Sequence, residues 1–363
     1  MSYDVVVVGG GIGGLTVAAL LSARGVSTCL LERQSQVGGC IARVEFAGYD
    51  FEPGMGLYTS FGRGGVYEKL FLELPVEAPE VSLLTSPPVT RLIDGTDVRA
   101  TQDDLYAIAG GPASLAERLA ESIKISGGRV RLNSPVLRLA YDEAGRATGV
   151  DLLSGERVFA RKAIVSNLTV WDTYGKLVGL NRTPPEIKKQ LNAIHGSGVY
   201  VVYASIEETA VARLPSQRVL VQDSEGEFTL AVATEQTAPP GKRGVTLTTR
   251  TDVEPWFAYQ TSEEDYEEWD QDALEHFWGR IHTALPELGG DIEVIETANP
   301  RTYYDLTRRK LGMLLGIDEG PAISYATPLA NLFITGDTVS SAPQLDAVVE
   351  MAISLSNQLT RRR

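Results

Sequence analysis

The chain has 363 residues, 43% hydrophobic and 22% charged, enough for two domains that share a sizeable buried interior. Its formal net charge of -14 repels phosphate backbones and anionic bilayers, which excludes nucleic acid as an expected partner and leaves at most peripheral membrane contact. The two cysteines, Cys29 and Cys40, lie in different predicted elements and show no ligand spacing, so a disulfide scaffold is excluded and a reducing, cytoplasmic setting is expected.

Residues 5–21, VVVVGGGIGGLTVAALL, carry no charge. A signal peptide needs a basic leading region, and Ser2, Tyr3 and Asp4 stand there instead. A spanning helix would hold Gly9, Gly10, Gly11, Gly13 and Gly14 in its middle, where glycine is costly. Valines followed by glycines instead predict a strand over 3–9, a turn, and a helix over about 13–25. The turn reads G-x-G-x-x-G as Gly9, Gly11 and Gly14, with Ile12 and Gly13 between them. Gly9 permits the tight turn, Gly11 lets backbone approach a diphosphate, and Gly14 lets the helix pack on the strand. The helix N-terminus supplies free N–H groups and partial positive charge. The next strand, STCLLER, ends in Glu32 and Arg33, which puts a carboxylate where both hydroxyls of a ribose can be accepted. Together these predict a dinucleotide site, with a structural glycine turn as the alternative.

The following stretch, QSQVGGCIARVEFAGYDFEPGMG, resembles the two-dinucleotide-binding flavoproteins: phytoene desaturases, carotenoid isomerases and amine oxidases. Glu32, Gly38 and Gly39 match their E-x-x-x-x-x-G-G-R-type run, and the resemblance implies FAD, with the glycine pair close to its phosphates. Cys40 stands where arginine is common in that family, and Arg43 is the nearby substitute. The desaturase pattern G-Y-x-F-D-x-G reads here as Gly48, Tyr49, Phe51, Glu52 and Gly54, with glutamate for aspartate. By the same resemblance Met55 and Gly56 lie near the flavin ring, although Met55 equally suits a gap-filling core position.

Residues 112–126 carry apolar positions at helical spacing after Gly110 and Gly111, and alternating residues then predict three or four short antiparallel strands ending at Asn167. This order resembles the second segment of the family's FAD domain, where the residue at Val136 holds the adenine through its backbone. A plain meander with a buried valine is the other reading. Strand candidates at 198–206, 218–222, 228–235, 244–252 and 291–297 lack crossover helices between most of them, which predicts one antiparallel sheet. A helix over about 262–286 opens with Ser262 and Asp265 in capping-box spacing and reads as a solvated acidic face.

The segment NPRTYYDLTRRKLGMLLGI resembles the family's T-P-x-T start leading to G-x-x-x-G near the flavin, with Gly312 and Gly316 in place and Asn299 for threonine. A last strand leads to Gly336 and Asp337, then a long helix opens at Leu345, Asp346 and Ala347. The resemblance implies that Asp337 binds the ribityl-phosphate region and that the helix end faces N1 and O2 of the ring. A positive helix end there stabilises reduced flavin, whereas Asp346, if aimed at the ring, opposes reduction. Val348, Met351, Ala352, Leu355 and Leu359 form a core stripe, and Arg361, Arg362 and Arg363 suit the negative helix end.

No metal spacing occurs, and His276 and His282 face different sides of one predicted helix. A hydrolase reading around Ser197 lacks G-x-S-x-G. No catalytic residue is assigned; Tyr303, Tyr304, Lys310 and Glu52 are the candidates for proton transfer. The expected fold is α/β, a Rossmann-like FAD-binding domain of the glutathione-reductase type plus a second domain on a mainly antiparallel sheet. Residues 1–75, 105–170 and 318–363 are assigned to the FAD domain, and 76–104 and 171–317 to the substrate domain. The implied function is FAD-dependent hydride transfer through flavin N5 on an apolar, unsaturated small-molecule substrate, by desaturation, saturation or isomerisation. The chain is shorter than typical members, which sets a smaller or protein-delivered substrate beside a long carotene. Two alternatives stand: an amine-oxidase-like enzyme on a small amine, and a flavin-binding protein without turnover. Oligomeric state is left open.

Overall fold

The computed structural model describes residues 1–54, 58–84, 86–99, 105–233, 237–258, 263–314, 316–342 and 344–361. Met55, Gly56, Ser262, Arg362 and Arg363 therefore lie outside the described residues.

One sheet has a parallel core. The strand Ser2–Val8 pairs in parallel with Thr28–Leu31 on one side and with Arg157–Ser166 on the other. Arg129–Arg131 extends the sheet in parallel beyond Thr28–Leu31, and Leu332–Ile334 lies parallel to the end of Arg157–Ser166. The stretch expected as a purely antiparallel meander is thus split. Its first strand, Arg129–Arg131, is a parallel edge because the helix Pro112–Ile125 carries the chain back to the starting end of the sheet. Only Val136–Tyr141, Ala147–Leu152 and the start of Arg157–Ser166 run antiparallel.

The valine run is apolar on both faces because both faces are covered. Val5 and Val7 face the helices Ile12–Ala23, Pro112–Ile125 and Leu345–Arg361, whereas Val6 and Val8 face the meander side with Trp171, Tyr174 and Ile194. Each fully buried leucine of the first helix, such as Leu15, Leu20 and Leu21, contributes about 1.5–3 kcal/mol of apolar transfer. Of the expected stripe of the last helix, Ala352, Leu355 and Leu359 join the core around the first helix together with Val349, whereas Val348 and Met351 lie outside that cluster.

The second sheet has the strand order Ile292–Ala298, Gly198–Glu207, Lys242–Thr251, Gly226–Val232, Arg218–Asp223, Val89–Arg91 and Asp97–Arg99. It is antiparallel except where Val89–Arg91 joins Arg218–Asp223 in parallel. The strand Gly198–Glu207 alternates in purpose. Tyr200, Val202, Ala204 and Ile206 pack under Phe277 and Ile281 of the helix Glu263–Ala284, while Val199, Val201 and Tyr203 face Tyr49 and Phe51. That second face brings this sheet against the loop that follows the glycine pair.

Candidate functional site

The glycine turn sits at the carboxyl end of the parallel strands, where an open α/β sheet leaves its crevice. Gly9 adopts a φ of +99°, and a methyl group on Gly14 would run into the Gly9 carbonyl oxygen, so both positions require glycine. Asn167, just past the strand Arg157–Ser166, donates its N–H to Val8 O at 2.8 Å. Its side-chain amide lies under the turn: a methyl on Gly11 would stand 2.6 Å from Asn167 Nδ2, and one on Gly13 2.8 Å from Oδ1. The helix Ile12–Ala23 has neither a side-chain cap nor an acid in its first turn, so the N-terminal dipole is left uncompensated.

Glu32 accepts the Gly10 N–H at 2.6 Å and the Gln34 N–H at 2.8 Å. Its backbone ties the next segment in place, because Ser134 N–H donates to Glu32 O at 2.8 Å. Val136 begins its strand two residues further on, paired with Leu152. Arg33 donates to Asp305 O and Leu306 O at 3.2 and 2.6 Å, and Gln34 Nε2 also bonds Leu306 O. The end of the helix Pro300–Thr307 is thereby strapped across the Glu32 end of the turn.

The remaining elements close a ring. Gly38 N–H donates to Gly10 O at 2.8 Å, and a methyl on Gly39 would stand 3.4 Å from Gly11 Cα. On the other side, a methyl on Gly13 would stand 3.2 Å from Gly336 N. Arg309 joins the two sides: it grips Asp337 at 2.6 and 3.3 Å, donates through Nε to Met313 O at 2.6 Å, and lies beside the Cys40 thiol. Burial works against the Arg309 charge, but Asp337, Cys40 and Asp172 outweigh it and hold its pKa above the usual value. Arg43 instead pairs with Asp50 at 3.1 Å, with its side chain 46% exposed.

At the last helix, Asp346 is turned onto hydroxyls. Thr59 and Ser60 donate to Oδ2 at 2.7 and 3.1 Å, and Oδ1 accepts the Ala347 N–H at 3.0 Å. Leu345, at the start of the same helix, packs against the core under the glycine turn. Gly312 has a φ of +64° and lies so close to Pro300 O that no side chain fits. Asn299 caps the helix Pro300–Thr307, accepting from Arg301 N and Thr302 N at 2.9 and 3.2 Å.

A buried aromatic cluster meets this ring through Tyr303. Tyr49 and Phe51 stack at 5.7 Å, Phe51 meets Tyr203 at 5.0 Å, and Tyr49 OH bonds Ser205 Oγ at 2.8 Å. Tyr303 lies next to Tyr203 and Cys40, and burial followed by Tyr203 pushes its hydroxyl pKa well up. Glu52 is 3% exposed and accepts the Tyr58 hydroxyl, whose pKa burial and then Glu52 push well above normal. Arg218 is 1% exposed beside both; its Nη1 donates to Val232 O, but among the described residues Nε and Nη2 have no hydrogen-bond partner. Of the four proton-transfer candidates, Tyr303 and Glu52 face inward. Tyr304 packs on Phe257 at 5.6 Å, and the exposed Lys310 sits over Trp171 at 5.4 Å. Sequence reasoning missed Asn167, Arg309 and Arg218 as site residues. The position of Asn167 was legible as the end of a strand beside the turn, whereas Arg309 was hidden in the basic run RRK.

Residues 90–304 match the family described as flavin containing amine oxidoreductase, and residues 7–74 match an NAD(P)-binding Rossmann-like domain. The chain belongs to the flavin containing amine oxidoreductase family. The flavin named for this family suits the ring: an uncapped helix end, close backbone at Gly11 and Gly39, and a carboxylate at Glu32. Similar curated proteins include the chloroplastic prolycopene isomerase of Arabidopsis thaliana, 26% identical over 56% of this chain and 36% of that protein. The all-trans-retinol 13,14-reductase of Homo sapiens is 23% identical over 70% of this chain and 49% of that protein. The carotenoid 3,4-desaturase of Haloarcula japonica is 43% identical, but over only 19% of this chain and 13% of that protein. The matches thus span less than half of these relatives' length. Among solved structures, an oxidoreductase from Methanosarcina mazei has a TM-score of 0.73 at 15% identity, covering 98% of this chain and 100% of its own. Putrescine oxidase bound to putrescine has a TM-score of 0.68 at 14% identity, covering 99% of each chain; these two likenesses show the fold.

Proposed function

We propose that the chain holds FAD in the ring closed by the Gly9–Gly14 turn, the Gly38–Cys40 turn and the Gly336–Asp337 corner, and uses it on an apolar, unsaturated small molecule. The Ile12, Gly13 and Gly14 N–H groups take the diphosphate, Glu32 takes the ribose, and backbone at Val136 takes the adenine. Gly336 and Asp337 hold the ribityl side, and the helix end at Leu345–Ala347 sets the field at the ring. Asp346 lends negative charge to that helix end, but its carboxylate is spent on Thr59 and Ser60. When bound, FAD supplies hydride exchange at N5. The cofactor unit in this reading comprises 1–75, 105–170 and 318–363, and the substrate unit 76–104 and 171–317.

The aromatic cluster beside Cys40 carries the substrate class. Tyr49, Phe51 and Tyr203 form a buried aromatic cluster that reaches the Cys40 side of the ring through Tyr303, and such apolar surroundings suit the exclusion of water from a hydrocarbon. The names of the similar curated proteins, a prolycopene isomerase, a retinol reductase and a carotenoid desaturase, point the same way. Among the described residues no helix is long and apolar enough to cross a membrane. The free cysteines Cys29 and Cys40 suit a reducing, cytoplasmic setting.

The test reconstitutes the protein with FAD and follows its visible spectrum without oxygen in the presence of a polyene, a retinoid or putrescine. Bleaching by a polyene or retinoid, or a changed double-bond geometry after chemical pre-reduction, supports the reading. Bleaching by putrescine alone moves the assignment to amine oxidation, and a bound flavin inert to all three removes the catalytic role.

A further inference from the structure

We propose that Arg309 is the cationic partner of the cofactor diphosphate, reaching the ring from the strap over residues 305–313 in place of the arginine absent at position 40. The proposal rests on the reading that FAD lies in this ring.

The strap is held at both ends of the ring. Asp305 O and Leu306 O bind Arg33 at the Glu32 end, and Arg309 binds Asp337 at the other. A dinucleotide stretched from Glu32 to Asp337 therefore runs beneath it. Arg309 stands between two non-glycine residues in the left-handed region, Arg308 with φ +56° and Leu311 with φ +50°. Such backbone persists where the surroundings impose it, here to turn the Arg309 side chain inward.

The nearby cations are otherwise engaged. Arg33 is spent on backbone carbonyls, Arg43 on Asp50, and Lys310 lies over Trp171. The ring itself holds the carboxylates of Glu32 and Asp337, which would repel a diphosphate without a compensating charge. Arg309 has five donors, of which one goes to Met313 O and two to Asp337. One N–H on each Nη remains, pointing to opposite edges of the guanidinium, and the group lies beside Cys40, next to the glycine pair, where a free N–H meets a phosphate oxygen.

The test measures FAD affinity of the flavin-free protein by quenching of flavin fluorescence, with folding checked by thermal melting. Arg309→Gln is expected to weaken FAD binding about 10- to 100-fold, and adding Cys40→Arg to it is expected to restore affinity to within several-fold of the parent. Arg309→Lys, which keeps the charge and loses the fork, is expected to fall between the two and serves if Arg309→Gln fails to fold. Limited proteolysis gives a second readout: FAD is expected to protect the strap in the parent but not in Arg309→Gln. Parent affinity in Arg309→Gln, or no recovery on adding Cys40→Arg, overturns the proposal. A parent that binds no FAD, or binds it equally well after Glu32→Ala, overturns the underlying reading instead.

Discussion

Glu32 and Gly10 are joined by a 2.6 Å hydrogen bond, so the acid that ends the second strand also fixes the turn that ends the first. Its other oxygen accepts the Gln34 N–H at 2.8 Å, which means both oxygens face donors. Glu32→Gln would set an NH2 group against one of those N–H groups. The expected result is a loss of about 1–3 kcal/mol in stability without flavin and a larger relative loss in FAD affinity. Urea unfolding of the flavin-free protein and a fluorescence titration separate the two. Equal FAD binding by parent and variant would remove Glu32 from the site.

The glycines of the turn should respond unequally. A methyl on Gly14 meets the Gly9 carbonyl oxygen, which is backbone and cannot swing away, so Gly14→Ala is expected to cost about 1–3 kcal/mol in folding. A methyl on Gly11 meets only Asn167 Nδ2, the far end of a side chain that can turn. Gly11→Ala is therefore expected to fold near normally and lose bound FAD. Thermal melting and the flavin absorbance of purified protein check the contrast, and a Gly11→Ala protein as unstable as Gly14→Ala would contradict it.

The parts of this arrangement that were legible in the sequence are local ones. A run of four successive valines, the five glycines of the turn and a terminal acid lie within the first 32 residues, and the strand, turn and helix they dictate need no distant partner. Five strands of the second sheet were legible for the same reason, through alternation along each one, whereas the short strands Val89–Arg91 and Asp97–Arg99 were not among the expected ones. What was hidden depends on distant contacts. Arg309 and Cys40 are 269 positions apart, and only the fold shows the strap lying over the glycine pair. Arg218 reads as an ordinary strand arginine, yet its side chain is buried on the sheet face beside Glu52 and Tyr58, a long-range packing no local pattern shows. The effect of Asp346 on the ring could not be judged from sequence, since its hydroxyl partners Thr59 and Ser60 come from the opposite end of the chain.

Asn299 explains its own departure from threonine. Besides capping the helix Pro300–Thr307, its Nδ2 donates to Tyr266 OH at 2.7 Å and Asp270 Oδ1 at 2.9 Å, tying the strap's helix to the helix Glu263–Ala284. Asn299→Ala is expected to lose the cap and the tie, at about 1–2 kcal/mol or more. Asn299→Thr keeps a capping oxygen and loses only the tie, so it should fall between parent and alanine variant. Chemical denaturation ranks the three, and a threonine variant no better than alanine would assign the whole effect to the tie.

The ion pair Arg280–Asp223 gives the stability a definite acid limb. Burial pushes the Asp223 carboxyl up, but the hydrogen bonds and charge of Arg280 and the backbone N–H groups of Glu225 and Gly226 pull it further down, to a net value below the usual carboxylate range. A carboxylate lowered on folding contributes fully above its unfolded pKa of about 3.9, and that contribution is lost as pH falls through the folded value. The pair is bidentate, at 2.9 and 3.0 Å, and the Arg280 side chain is 12% exposed against Phe228 and Phe277. Asp223→Asn leaves that guanidinium without its carboxylate and is expected to cost about 1–2 kcal/mol at neutral pH. The gap between parent and variant should hold down to about pH 5 and close toward pH 2–3, where the parent carboxyl takes up its proton. Urea unfolding at pH 7, 5 and 3 reads this directly. A gap of unchanged size at pH 3 would show that the charge of Asp223 is not what stabilises this corner.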